Sequence, residues 1–149
     1  MPSARTATIK DVLLLRSDHF SFESPFENGV QYDCPLGDDL AAFLKGAIES
    51  RDASWRILDP IREDYGTELL CYRDGKCFQV TVNWIPLGGA GLRRTEEEVW
   101  VLHFRQSHGC LGSLLRVRDD RAGLATLRGL VADIVTAEQI GRASCRERV

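Results

Sequence analysis

The strongest constraint on this chain is the run from Glu68 to Trp84, two alternating segments joined by Asp74-Gly75. Asp-Gly accepts positive φ at both central positions of a two-residue turn, so this run is expected to form a β-hairpin. The turn length sets the register. Arg73 faces Lys76, Tyr72 faces Cys77, Cys71 faces Phe78 and Leu69 faces Val80. Leu69, Cys71, Phe78, Val80, Val82 and Trp84 then share one apolar face. Tyr72, Cys77, Gln79, Thr81 and Asn83 share the other, which reads as polar and wet. Such alternation belongs to an antiparallel sheet with one covered side.

The covering elements are visible as helical stripes. Between Asp38 and Ser50, residues Leu40, Phe43, Leu44, Ala47 and Ile48 recur at helical spacing. Asp38 and Asp39 sit in the first turn, where carboxylates suit the helix dipole and can cap free N–H groups. A second helix runs from a cap at Asp119 or Asp120 to about residue 138, with Leu124, Leu127, Leu130, Val131, Ile134 and Val135 as its stripe. Ile9–Leu15, His19–Glu23 and Glu98–Arg105 read as further extended segments, the last with Trp100, Leu102 and Phe104 on one side. Pro86–Glu97 reads as a long glycine-containing connection. Cys110–Val117 fits a short strand and a helical turn equally well. The expected fold is α+β: an antiparallel meandering sheet of about four to five strands with two main helices packed on one face.

Composition bounds the function. The 149 residues include 19 Lys and Arg against 22 Asp and Glu, a formal charge of −3. A phosphate-neutralising nucleic-acid binder normally carries a basic surplus, so no nucleic-acid partner is expected. No apolar run approaches the ~18 residues needed to span a bilayer, and no long apolar stretch follows the basic residue near the start. The expectation is a cytoplasmic protein with no membrane partner.

The segment from Ile140 to Val149, IGRASCRERV, resembles the codon-by-codon translation of a common short-read sequencing adapter, whose next codon is a stop. That resemblance implies a non-native tail over 139–149; no repeat or linker divides what precedes it, so a single α+β domain is expected over residues 1–138. Taking three Arg from 19 and one Glu from 22 leaves 16 against 21, a formal charge of −5.

Candidate chemistry is sparse. Cys71 and Cys77 fall on opposite faces of the hairpin and cannot share a metal or a disulfide, whose Cβ atoms must lie about 4 Å apart. No Cys-x2-Cys or His-x3-His spacing supports zinc, so no metal and no cofactor are expected. Scattered cysteines in an acidic chain read as reduced. His103, His108 and Cys110 are the clustered soft ligands, and a half-exposed strand histidine plus a turn histidine account for them. Leu87-Gly88-Gly89-Ala90-Gly91-Leu92 lacks the Lys-Ser/Thr ending of a phosphate loop. The wet face is therefore expected to offer no reactive group. The loop Glu63-Asp64-Tyr65-Gly66 is the candidate partner-binding site: two carboxylates and an aromatic on an exposed turn suit a basic protein surface.

Trp55-Arg56-Ile57-Leu58-Asp59-Pro60-Ile61-Arg62-Glu63-Asp64-Tyr65-Gly66, leading into a hairpin and later a strand Val99-Trp100-Val101, resembles small uncharacterised bacterial α+β proteins. The chain also looks like immunity proteins of bacterial polymorphic toxin systems, which are compact, acidic and single-domain. The resemblance implies a non-enzymatic cytosolic binding module that masks a toxin with an acidic surface, as a monomer or homodimer; the loop residues Glu63, Asp64 and Tyr65, read from their charge and aromatic character, are its expected contact. Two alternatives stand beside it. One is a secretion-type chaperone that holds an effector segment as a dimer. The other is a small enzyme using His103 or His108, favoured if a surface pocket holds either histidine with a carboxylate.

Overall fold

The computed structural model describes residues 11–15, 20, 26–27, 29–31, 35–86, 98–109, 114–115, 118–137 and 143–144. Along the chain these form β1 (Val12–Leu15), β2 (Phe26–Glu27), β3 (Val30–Gln31), α1 (Asp38–Arg51), β4 (Arg56–Ile57), β5 (Ile61–Glu63), β6 (Gly66–Arg73), β7 (Lys76–Pro86), β8 (Glu98–Ser107), α2 (Arg121–Ala137) and β9 (Ala143–Ser144). The fold is α+β, with every strand pair antiparallel. The main sheet has the order β4-β6-β7-β8-β1-β9, with β5 also paired to β6. This is seven strands against the four to five expected. The excess comes from β4, β5 and β9, each only two or three residues long. The strands β2 and β3 form a separate two-stranded ribbon.

The β6–β7 hairpin has the register read from its turn: Arg73↔Lys76, Tyr72↔Cys77, Cys71↔Phe78 and Leu69↔Val80. Asp74 and Gly75 have φ of 52° and 72°, the paired positive values of the turn type that follows strand twist. The register continues through the rows Leu69–Val80–Phe104, Val82–Leu102–Leu13 and Trp84–Trp100–Leu15. All but the half-buried Trp84 in these rows are buried, and they define the inner face.

Both helices feed the same buried cluster as that face. From α1 it takes Leu40, Ala41, Leu44 and Ile48; from α2, Leu124, Leu127, Val131, Ile134 and Val135. Phe43, Ala47 and Leu130 pack against it half-buried. Trp55 closes one end, edge-on to Phe78 at 5.7 Å, with the Arg73 guanidinium 4.5 Å from its ring centroid. A stacked guanidinium satisfies the ring face and keeps its own charge near water. Burial of this apolar surface is the main force holding the helices and strands together.

Asp38 and Asp39 lie in the first turn of α1, as expected, and the cap before them is Gly37, with no side-chain cap bond. Gly37 has φ of 70°, and a Cβ there would lie 2.7 Å from Val82 Cγ1 and 2.8 Å from Trp100. A side chain is thus excluded twice, by conformation and by contact with the inner face. Asp38 instead accepts a bond from Arg62 at 2.6 Å, and Asp39 accepts one from the Leu40 amide at 2.9 Å. At α2 the cap is Asp120, whose Oδ1 accepts from the Gly123 amide at 2.9 Å. The expected extended segment His19–Glu23 lies outside the described residues apart from Phe20, which is buried. The glycine run at 87–92 lies outside them too, as does Cys110–Val117 except for the exposed Leu114 and Leu115.

Two residues of the C-terminal segment set apart in the sequence, Ala143 and Ser144, pair with Leu15 and Leu14. An open strand edge offers N–H and C=O groups to any extended backbone, so a contact this short needs no complementarity of side chains.

Candidate functional site

The residues Glu63–Gly66, expected to be a loop, are instead the end of a second hairpin. Ile61 pairs with Glu68, Arg62 with Thr67 and Glu63 with Gly66, leaving Asp64-Tyr65 as the two-residue tip. Gly66 makes this possible. A Cβ at Gly66 would lie 2.0 Å from the Val82 carbonyl oxygen, so only glycine lets β6 and β7 close here. Asn83, opposite Gly66, fastens the tip by donating its amide to the Tyr65 carbonyl at 3.0 Å. Thr67, buried beneath, donates its hydroxyl to the Leu36 carbonyl at 2.8 Å.

The tip is amphipathic. Tyr65 is 49% exposed and Ile61 41%, two of the large apolar side chains that reach solvent among the described residues. Asp64 is exposed and Glu63 half-buried. The Tyr65 hydroxyl donates to the Glu68 carboxylate. That bond, with Glu63 nearby, pushes the phenol up to about 12, because ionising it would set a second negative charge against the carboxylates. Tyr65 is therefore held neutral and in place. The structure brings Glu63, Asp64 and Tyr65 together as the sequence suggested. It adds Ile61 and Glu68, which sequence reading missed because their proximity depends on the β5–β6 pairing.

From this tip the outer face of the sheet runs in rows: Glu68–Thr81–His103, then Leu70–Gln79–Arg105, then Tyr72–Cys77–Ser107. It is not the wet, open surface expected. Gln79 is only 4% exposed and Val101 3%, while Leu70, Tyr72, Cys77 and Thr81 are half-buried. Gln79 accepts from Arg105 Nε at 2.7 Å, which satisfies its buried carbonyl. Cys71 and Cys77 are free and on opposite faces, as the register requires. Burial pushes the Cys71 thiol up to about 12, and it behaves as a small apolar core residue. Tyr72 bonds with the Cys77 thiol across the strands, and this contact raises its phenol pKa.

Beyond the far end of this face the structure brings together titratable groups that the sequence reading kept apart. There Leu70, Tyr72, Cys77, His108, Arg118 and Asp119 help line a cavity of about 680 Å³. His108 Nε2 lies 2.5 Å from Asp119 Oδ1. The two come together because Gly109, at φ of 67°, turns the chain at the end of β8 while Asp120 opens α2 alongside. The Asp120 amide donates to Gln106 Oε1 at 2.5 Å, tying the two segments. Asp119, one of two candidate caps, thus serves the histidine, and Asp120 serves the helix. His103 stays exposed on the sheet and does not line the cavity. Among the described residues no group of three His, Cys, Asp or Glu is placed to hold a metal ion. No described helix is long and apolar enough to cross a membrane.

No family model, curated protein or solved structure matched the chain in the comparisons made.

Proposed function

We propose that the chain is a non-enzymatic, cytoplasmic protein-binding module of immunity type, which masks a basic partner with the β5–β6 tip. The observation that carries this reading is Tyr65: a large aromatic side chain, half exposed, pinned by Glu68 and ringed by Glu63 and Asp64. A rigid aromatic loses little freedom on binding, and such residues carry a large share of interface energy. The surrounding carboxylates steer a positively charged surface toward it and fix its register. Ile61 widens the apolar contact.

The test is co-expression with the product of the flanking open reading frame. The wild-type chain should relieve toxicity and co-purify with that product, with binding weakening as salt rises. Tyr65→Ala should weaken binding by at least ~2 kcal/mol, and Glu63→Lys with Asp64→Lys should abolish it. Binding indifferent to salt and to all three substitutions would remove the assignment. A dimer in size-exclusion chromatography would instead favour a chaperone that holds an effector segment.

A second reading rests on the His108–Asp119 contact in the cavity wall. A carboxylate on Nε2 orients an imidazole and leaves Nδ1 to take or give a proton, the arrangement of a general base. This favours the small-enzyme alternative through His108 rather than His103.

A further inference from the structure

The cavity at the far end of the outer face supports an inference independent of the hairpin tip. Its volume, about 680 Å³, falls in the ~300–1,000 Å³ range of small-molecule sites. Leu70 and Tyr72 give it an apolar and aromatic side, and Cys77 and Ser107 lie in the same outer-face row as Tyr72. Three basic side chains converge on it, Lys76, His108 and Arg118, with two carboxylates, Asp119 and Asp120.

The carboxylates are already committed. Asp119 holds His108 Nε2 at 2.5 Å. Asp120 takes Lys76 Nζ at 2.8 Å on one oxygen and the Gly123 amide at 2.9 Å on the other. Arg118 is different: among the described residues its guanidinium has no hydrogen-bond or ion-pair partner, and it lines the cavity. A guanidinium presents five donors in a planar fork matched to carboxylate and phosphate oxygens. Among the described residues the pairing pattern therefore leaves the cavity with one uncommitted cation, Arg118, beside an aromatic wall.

We propose that this cavity binds a small organic anion, a carboxylate or phosphate monoester on a flat apolar body. The anionic group pairs with Arg118 and the body lies against Leu70 and the Tyr72 ring. Lys76 and His108 are held back by Asp120 and Asp119, which keeps the site selective for a single anionic group.

The experiment is an amide NMR titration of the full chain with benzoate and phenyl phosphate, with benzylamine and inorganic phosphate as controls. Both aromatic anions should shift the Leu70, Cys77, Ser107 and Gly109 amides in a saturable way. Benzylamine, of the wrong charge, and inorganic phosphate, with no apolar body, should bind far more weakly. Arg118→Gln should weaken the anions about tenfold or more, ~1.4 kcal/mol, and Arg118→Lys should restore part of the affinity. Arg121→Gln removes the same charge three residues on, outside the cavity lining, and should leave the titration unchanged. The variant spectra themselves report folding. The proposal is overturned if neither aromatic anion shifts these amides, if benzylamine binds as well, or if Arg118→Gln titrates like wild type. Failure of the hairpin-tip substitutions to affect a protein partner would leave this result untouched.

Discussion

The two faces of the one sheet follow different rules although the same strands build both. On the inner face, the buried rows Leu69–Val80–Phe104 and Val82–Leu102–Leu13 repeat one chemistry. On the outer face, Glu68–Thr81–His103 gives way to Leu70–Gln79–Arg105 and then to Tyr72–Cys77–Ser107. Inner-face residues share one buried cluster with residues of both helices, so packing selects them and their loss is felt as lost stability. Outer-face residues range from the buried Gln79 and Val101 to the exposed His103, so no single packing rule selects them. The comparison makes a sharp claim: substitutions inside should cost folding, and substitutions outside should cost binding.

The largest effect should come from Trp100→Ala. Trp100 is fully buried between Trp84, Leu15 and the start of α1 at Gly37. Removing a ring of that size leaves a cavity and should lower unfolding free energy by about 3–5 kcal/mol in a urea titration. A loss under ~1 kcal/mol would mean that this face is loosely packed and the contrast is false. Gly66→Ala should rank next, at about 3 kcal/mol, because the Val82 carbonyl is backbone and cannot swing away from a Cβ built 2.0 Å from it. Gly66 also tests the boundary between the faces. The variant should lose stability and the tip geometry together, whereas Tyr65→Ala should change stability by no more than ~0.5 kcal/mol.

How much of this could be read from the sequence follows the same division. The β6–β7 register, the opposite placement of Cys71 and Cys77, and the stripes Leu40-Leu44-Ile48 and Leu127-Val131-Ile134 were legible, because local periodicity and turn chemistry determine them. The cap at Gly37 was not, since its reason is a contact with Val82 and Trp100 far along the chain. Asp64 and Tyr65 were legible as an exposed turn, whereas Glu63 is a half-buried strand residue. Their hairpin was not, because β5 has three residues, too few to show a period. The His108–Asp119 contact was illegible for a related reason. It depends on how two chain segments, one leaving β8 and one entering α2, meet in space.

Acid should separate the helix caps from the core. The bonds from Lys76 and from the Gly123 amide hold the Asp120 carboxyl below its ordinary value. A carboxyl depressed in the folded state contributes stability above its unfolded pKa, about 4, and loses it as pH falls through the lower folded value. Stability should therefore decline below about pH 4, and Asp120→Asn should flatten that decline while lowering stability at neutral pH. A decline unchanged in Asp120→Asn would place the acid sensitivity elsewhere, with Asp52 and Glu49, whose pKa values are also lowered by their hydrogen bonds, as the groups to examine.

The smallest effect is also the most local test of the tip. Tyr65 has its phenol raised to about 12 by the bond to Glu68, against about 10 for a free tyrosine. A group raised in the folded state contributes stability that is fully present below the unfolded value and disappears as pH rises through the folded one. The window for Tyr65 is therefore between about pH 10 and 12, far from the acid window of Asp120. Because Tyr65 is half exposed, solvent screens the interaction, and the signature is spectroscopic rather than a large change in folding. Ultraviolet difference titration of wild type against Tyr65→Phe isolates this one phenol from Tyr32 and Tyr72. Its midpoint should lie near 12, and in Glu68→Ala it should fall back toward 10. A midpoint near 10 in both would mean that the ring swings free of the carboxylate. The tip would then be an ordinary mobile turn, and the outer face would lose its rigid acidic end.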